Sequence, residues 1–454
     1  MRGLVSGYAE AVHGTSGAAN SSRSTSLSIP WLGIAFAAVI ACGPPTVPSD
    51  LGTLPDDQVT LAESPALAHL AAALEGGPEH TVAELVSGEL PSFTSAPDPS
   101  ELFALQRREH DALPTPQDAF GLRVLTYNVG LLSRWYPITK VEVAEVERRR
   151  ELFTDILLGD KWDVLMLQEV WEPHDVARLE EGAERLGYEL YAGTDRYHEY
   201  HGLVTLVRSA LIDPDAPQQR EELLYEQQRG IERFPGPSFA RGFLSWELRL
   251  AGLDATVRLY NTHLTALSPY WNVRAAQARE VALHSRGASQ DTLILLGADL
   301  NAAPYYPSDS FGAAGGEPIS GWWLNTTMYA VMLHYGNFRD VQLLAGATDD
   351  IALLDGLPAY DEAAYTREPL GDASRCDAVE AAVTLSDCNS LLFTSSGGSE
   401  YPARIDYLMY RDARERVRVV NASLEYSEPI ELGEGVSAEL SDHSGVSAVL
   451  AIAR

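Results

Sequence analysis

Residues 291–301 read DTLILLGADLN, an apolar run that stops at a carboxylate and a carboxamide. The run has strand length and is too short for an independent helix. Because side chains alternate along a strand, Asp299 and Asn301 are expected to point the same way and reach into one site. The same design recurs toward both ends of the chain. Upstream, LRVLTYNV (122–129) ends at Asn128, DVLMLQEV (163–170) at Glu169 and TVRLYNTHL (256–264) at His263. Downstream, RIDYLMY (404–410) carries Asp406, and LSDHSGVSAVL (440–450) sets Asp442 beside His443.

Further short apolar runs, YELYAGT, LVTLVRS, FLSWELRL and GVSAVLAIA, also fit strands. Two segments with apolar faces that end at glycine, VEVAEVERRRELFTDILLG (141–159) and PYWNVRAAQAREVALHSRG (269–287), are predicted helices. Strands and helices in this alternation bury their apolar faces as mixed sheets covered by helices, so an α/β or α+β layered domain is expected over residues 121–454.

Taken singly, each polar strand-end residue has an ordinary structural explanation. Asn128 could satisfy backbone groups, Glu169 could begin a helix, and a histidine at an apolar edge can be purely structural. As an ordered set, without runs of surrounding charge, they do not read as solvated surface.

The order TxNV, QEV, THL, GxDLN, RIDY and SDH resembles the endonuclease/exonuclease/phosphatase superfamily, whose fold is the deoxyribonuclease-I-like one. The resemblance implies a four-layer sandwich of two mixed β-sheets flanked by helices. The motif flanks are most similar to the neutral sphingomyelinase branch: VLTYNVGLLSRWYP, LQEVWEPHDVARL, FARGFL, the spacing Arg274, Gln277, Glu280, and YT through NSLLF to PARIDYLMY. The inositol polyphosphate phosphatase branch expects Trp and Arg in its two signature motifs, a pattern that GADLNAAP and ARIDYLMY lack. Ala298 stands where many relatives carry Gly, a small change expected to fall at a tight turn.

The resemblance also implies roles. Glu169 would be the principal Mg²⁺ ligand, with Asn128 and Asp442 nearby, a hard-oxygen set that also suits Mn²⁺ or Ca²⁺. His443, neutral near pH 7, would be the general base for the attacking water, oriented by Asp406. His263 and Asn301 would donate to the phosphoryl oxygens, and Asp299 would position the water or assist the leaving group.

Lys and Arg number 33 against 64 Asp and Glu, a net charge of −31. Such a field repels polyanions, and nucleic acid is bound chiefly through basic side chains. A zwitterionic phosphocholine headgroup makes no such demand. The expected activity is therefore a metal-dependent phosphodiesterase acting at a membrane surface on a phospholipid such as sphingomyelin, working as a monomer. An extracellular deoxyribonuclease-I-like nuclease and a catalytically silent surface lipoprotein are the alternatives. Trp135-Tyr136, Tyr305-Tyr306 and Trp322-Trp323 are candidate bilayer contacts, although aromatics equally fill cores.

The apolar run IPWLGIAFAAVIA (29–41) has the length of a signal-peptide core, and Val39-Ile40-Ala41-Cys42 resembles a bacterial lipobox. Residues 1–42 are accordingly expected to be a signal segment, and the enzyme to be exported and anchored by lipid at Cys42, or otherwise secreted. Residues 43–120 read as a tether with short helices. In an oxidising compartment Cys376 and Cys388 could bridge, or remain free thiols.

Overall fold

A computed structural model describes residues 107–113, 116, 118–136, 139–159, 162–193, 201–226, 240–266, 271–302, 305–307, 318–319, 322–324, 331–345, 384, 389–391 and 404–454. The expected signal segment, Cys42, most of the tether and its helices, and Cys376 and Cys388 lie outside the described residues. Within residues 43–120, where short helices are expected, residues 107–112 are helical.

Twelve strands build two sheets. They are β1 Ala119–Asn128, β2 Val164–Gln168, β3 Tyr188–Ala192, β4 Val204–Arg208, β5 Gln219–Leu224 and β6 Gly242–Arg249, then β7 Thr256–His263, β8 Leu293–Asp299, β9 Arg339–Asp340, β10 Asp406–Arg411, β11 Val417–Glu425 and β12 Gly445–Ala453. Sheet 1 runs β11-β12-β1-β2-β4-β3 and sheet 2 runs β9-β10-β8-β7-β6-β5. Each holds one parallel pair at its centre, β1 with β2 and β7 with β8, and antiparallel neighbours elsewhere. A parallel pair needs a crossover, and in both cases a helix supplies it. Helix α1 (Val146–Leu157) joins β1 to β2, and α3 (Trp271–Arg286) joins β7 to β8. A further helix, α2 (Pro173–Leu186), starts on proline and stops at Gly187, whose φ of 75° closes it.

The central strands are buried on both faces, which is why they read as continuous apolar runs. In β1, Leu122 and Val124 face sheet 2 and join Val164, Met166, Val257, Leu259, Leu293, Leu295 and Leu408 in the inter-sheet core. Leu125 and Tyr127, of opposite parity, pack outward with Phe153 and Leu157 of α1 and Leu179 and Ala183 of α2. On the far side, α3 lies against sheet 2 through Tyr260 to His284 and Arg411 to Ser285. The layers are therefore helix, sheet, sheet, helix, as expected.

Two local expectations need correction. The helix predicted from residue 141 begins only at Val146. Thr139–Glu142 instead pairs with Ser133–Tyr136 as a small hairpin, because its Thr-Lys-Val-Glu alternation suits a strand and Glu145, at φ 54°, breaks the chain direction. Ala298 is not at a tight turn. It lies within β8, paired to Thr262 and Tyr407, with its side chain buried. The glycine that matters is Gly297, where a β-carbon would come within 2.8 Å of Met166 Cβ and Thr126 Oγ1 on the facing sheet.

Candidate active site

The site is the polar end of the inter-sheet stripe. On β1 the residues of core parity run Leu122, Val124, Thr126, Asn128, and on β7 they run Val257, Leu259, Asn261, His263. On β8, Leu293 and Leu295 lead through Gly297 to Asp299, while β10 opens on Asp406 before Leu408. Asp299 is opposite His263 on one side and Asp406 on the other. Apolar packing thus stops at one height on both sheets, and the side chains beyond it meet.

His443 Nδ1 donates to Asp406 Oδ2 at 2.8 Å. Asn128 Nδ2 donates to Asp299 Oδ2 at 2.9 Å and stands 3.4 Å from His443 Nε2. The amide of Asn128 is oriented by Gly130 N, which donates to its Oδ1 at 3.0 Å. Asn301 Nδ2 donates to Leu264 O at 3.1 Å and lies 2.8 Å from His263 Nε2. The carbonyl fixes which way this amide faces, so His263 Nε2 accepts and the ring proton sits on Nδ1. Asn301 therefore orients His263 directly. It does so from a left-handed backbone at φ 47°, just past the strand, rather than from the strand itself.

Glu169, Asp442 and Asn128 form the second half of the site. Glu169 sits at φ 61°, a strained conformation for a residue with a β-carbon, immediately beyond β2. Its carboxyl is raised, first by burial and then by Asp442 beside it, against the opposing pull of His443, Arg241 and a hydrogen bond from Asn128. Asp442 lies against Gly130, where a β-carbon would fall 2.3 Å from Asp442 Oδ1. Ser441 holds the turn, its hydroxyl donating to Asn128 O at 2.7 Å.

Burial alone pushes the His443 ring down, but the carboxylates of Asp406, Asp299 and Asp442 outweigh it and hold the imidazolium well above the ordinary histidine range. Three carboxylates surround one ring, and the charged form answers them. His263 goes the opposite way, lowered by burial and then by Arg241 and His443, and is neutral. Asp299 is pushed up to about 7 by burial and by Asp406. Its Oδ2 lies 3.2 Å from His263 Nε2.

Two oxygen-rich groups can be weighed as a cation site. Asp299, Asp406 and His443 present ligand atoms within 4.8 Å of one another. Most of those atoms hydrogen-bond to each other, to Asn128 and to Asn301 N, which donates to Asp299 Oδ1 at 2.8 Å, while Asp406 Oδ1 is buried without a partner. Glu169 and Asp442 are close enough to raise the Glu169 carboxyl and both act beside Asn128, an oxygen set suited to a divalent ion. The residues fit such an ion, and it would relieve the repulsion that raises Glu169.

Several residues of the site were not singled out from the sequence. Gln168 Nε2 donates to Thr126 Oγ1 (3.1 Å) and, across the sheets, to Asn261 Oδ1 (2.8 Å), while Asn261 Nδ2 donates to Leu167 O (3.0 Å) and Val204 O (2.9 Å). This buried bridge fixes the height of Glu169 against that of His263. Both amides share parity with the core, the one signal that could have exposed them. Arg241, in the FARGFL loop, lies over Trp171 with Cζ 5.5 Å from the ring centre and contributes positive potential at His263 and Glu169. The Arg274-Gln277-Glu280 face of α3, whose spacing the sequence did display, grips the loops. Gln277 Oε1 accepts from Thr265 N (2.9 Å), Arg274 Nη1 donates to Thr265 O (3.1 Å), and Glu280 Oε2 accepts from Glu226 N (3.0 Å).

Solved structures with similar folds include TDP2 from C. elegans (14% identity, TM-score 0.47, covering 83% of this chain and 95% of that one). Others are SmcL (16%, 0.45, 72% and 98%) and a beta toxin 275–280 structure from Staphylococcus aureus (15%, 0.45, 72% and 99%). A search of curated proteins gives no significant match. The model of the Endonuclease/Exonuclease/phosphatase family matches residues 125–443, from the middle of β1 to His443, and the chain belongs to that family.

Proposed function

We propose that the chain is a divalent-metal-dependent phosphodiesterase that cleaves a phospholipid such as sphingomyelin, releasing phosphocholine by in-line attack of water on phosphorus. The observation that carries the phosphodiesterase reading is the convergence of Asn128, Asp299, Asp406 and His443 within hydrogen-bonding reach, next to the paired carboxylates of Glu169 and Asp442. Glu169, Asp442 and Asn128 would hold the metal ion, Mg²⁺ or else Mn²⁺ or Ca²⁺, which when bound supplies charge stabilisation to the phosphoryl oxygens. His443, after giving up its proton, takes one from the attacking water through Nε2 while Asp406 holds Nδ1. Neutral His263 is steadied by Asn301, and Arg241 adds positive potential beside it where the phosphoryl charge would develop. Asp299, titrating near 7, is suited to protonate the leaving oxygen.

The lipid reading is supported by the net charge of −31 and by a small three-stranded sheet. In it the backbone pairs Tyr306 with Trp323 and Pro307 with Trp322, bringing two of the three aromatic dipeptides together on one element. Export with a lipid anchor at Cys42 would put that element near a bilayer. Purified protein with Mg²⁺ and sphingomyelin vesicles should liberate phosphocholine while leaving plasmid DNA intact. Degradation of DNA without phosphocholine release would replace this reading with the nuclease one, and inertness toward both substrates would favour a binding lipoprotein.

A further inference from the structure

Helix α1 carries two buried arginines in succession, within a run of charge, GluArgArgArgGlu, that reads as a solvated face. Arg150 has a conventional partner, Asp175, at 3.0 Å. Arg149 does not. Its Nε donates to Ala144 O (3.1 Å), its Nη1 to Val129 O (3.0 Å) and Leu440 O (3.1 Å), and its Nη2 to Gly130 O (2.7 Å). Every one of these partners is a main-chain carbonyl.

The identity of those carbonyls is what matters. Val129 and Gly130 directly follow Asn128, and Leu440 directly precedes Ser441, Asp442 and His443. The two loops leave neighbouring strands, β1 and β12, at the same end of sheet 1. One planar guanidinium with five donors in fixed directions spans the gap between them, a task that lysine's single ammonium cannot reproduce. Gly130, held from one side by Arg149, is in turn the surface against which Asp442 Oδ1 rests. Arg149 is fully buried, and its positive charge is felt by Asp442 and Glu169.

We propose that Arg149 is a positioning residue for the divalent-cation site, locking the loop after β1 to the loop before β12 so that Asn128 and Asp442 present their oxygens to one ion. The inference rests on the metal-dependent reading above. Partners that orient metal ligands typically change affinity by about 10–100-fold when altered.

The test is calorimetric titration of the metal-free full chain with Mg²⁺ and Ca²⁺. Arg149→Lys keeps the charge and the helix but loses the fork, and should bind about 10–100-fold more weakly, with turnover largely restored at saturating metal. Arg208→Lys is the control. Arg208 also donates to a main-chain carbonyl, Trp162 O at 2.9 Å, but at the opposite end of β2 from Glu169, and its replacement should leave metal affinity unchanged. Hydrogen exchange on the unaltered chain needs no variant: added metal should protect the amides of 129–131 and 440–443 together. Wild-type affinity in Arg149→Lys, or protection of one loop without the other, overturns the proposal. An unaltered chain that binds no divalent ion overturns the metal-dependent reading itself, and this inference with it.

Discussion

His443 is buried among carboxylates, and its role as a base depends on losing a proton that they hold. Since its pKa is raised, the neutral form is populated only on the alkaline side, and the rising limb of the pH–rate profile should follow it. Asp406→Asn removes the strongest stabiliser of the imidazolium while leaving an acceptor for Nδ1–H. The limb should then move to lower pH as the maximal rate falls, a shift that pH–rate measurements on both proteins would show or refute. Gly130→Ala tests the same locality from the backbone. A left-handed β-carbon costs roughly 1–2 kcal/mol, and here it also displaces Asp442, so the variant should need more metal for half-maximal activity as well as unfold earlier. At this scale the sequence was informative where an apolar run stopped at a polar residue, as at Asn128, Glu169, His263 and Asp299. It was silent on Gln168 and Asn261, which sit inside the runs, and on Arg149, whose burial no local pattern reveals.

The longer strands that escaped the sequence reading share a physical cause. β5 (QREELL) and much of β11 (VRVVNASLE) lie at sheet edges with residues open to solvent, so they carry no continuous apolar run, and β11 also slips register between Val419 and Asn421. Central strands, buried on both faces, were legible throughout. The edge at β11 is partly closed by the helix at residues 107–112. His110 Nε2 accepts from Val419 N at 3.0 Å, and Arg418 Nη1 donates to His110 O (3.1 Å) and Leu113 O (2.7 Å). Burial, then Arg418, lowers the His110 pKa against the opposing effect of Asp111, with Arg339 adding to the fall. The folded state therefore resists a proton that the unfolded chain accepts. This contribution to stability is complete above the unfolded value of about 6.5 and is lost as pH falls through the lower folded value. His110→Ala, which leaves the Val419 amide without its acceptor, should cost about 1–3 kcal/mol at pH 7. The deficit relative to the unaltered chain should shrink by pH 5, as measured by urea unfolding at the two pH values.

For the whole molecule, the two halves of the site come from both sheets and from segments separated by much of the chain, and only the sandwich unites them. Its four layers could be read from the alternation of strands and helices together with the family resemblance, but the bridge between sheets through Gln168 and Asn261 could not, because it depends on how the sheets are stacked. With a net charge of −31, cleavage of a polyanion should accelerate as salt screens repulsion, whereas cleavage of a zwitterionic lipid should respond little. Rates on DNA and on sphingomyelin vesicles across a salt series would separate these behaviours. Because Glu169 and Asp442 repel each other, a divalent ion should also stabilise the fold, by about 2.7 kcal/mol at a hundredfold excess over its Kd, visible as a rise in Tm.

The central claim is that these distant strand ends form one metal-dependent hydrolytic centre with His443 as its base. Hydrolysis of bis(4-nitrophenyl) phosphate by the purified chain, with Mg²⁺ or with EDTA, and by His443→Ala beside it, tests this most directly. The account predicts turnover that EDTA abolishes and that the variant lowers by roughly 10²–10⁴-fold with Tm little changed. Hydrolysis indifferent to EDTA, or undiminished in His443→Ala, would contradict it.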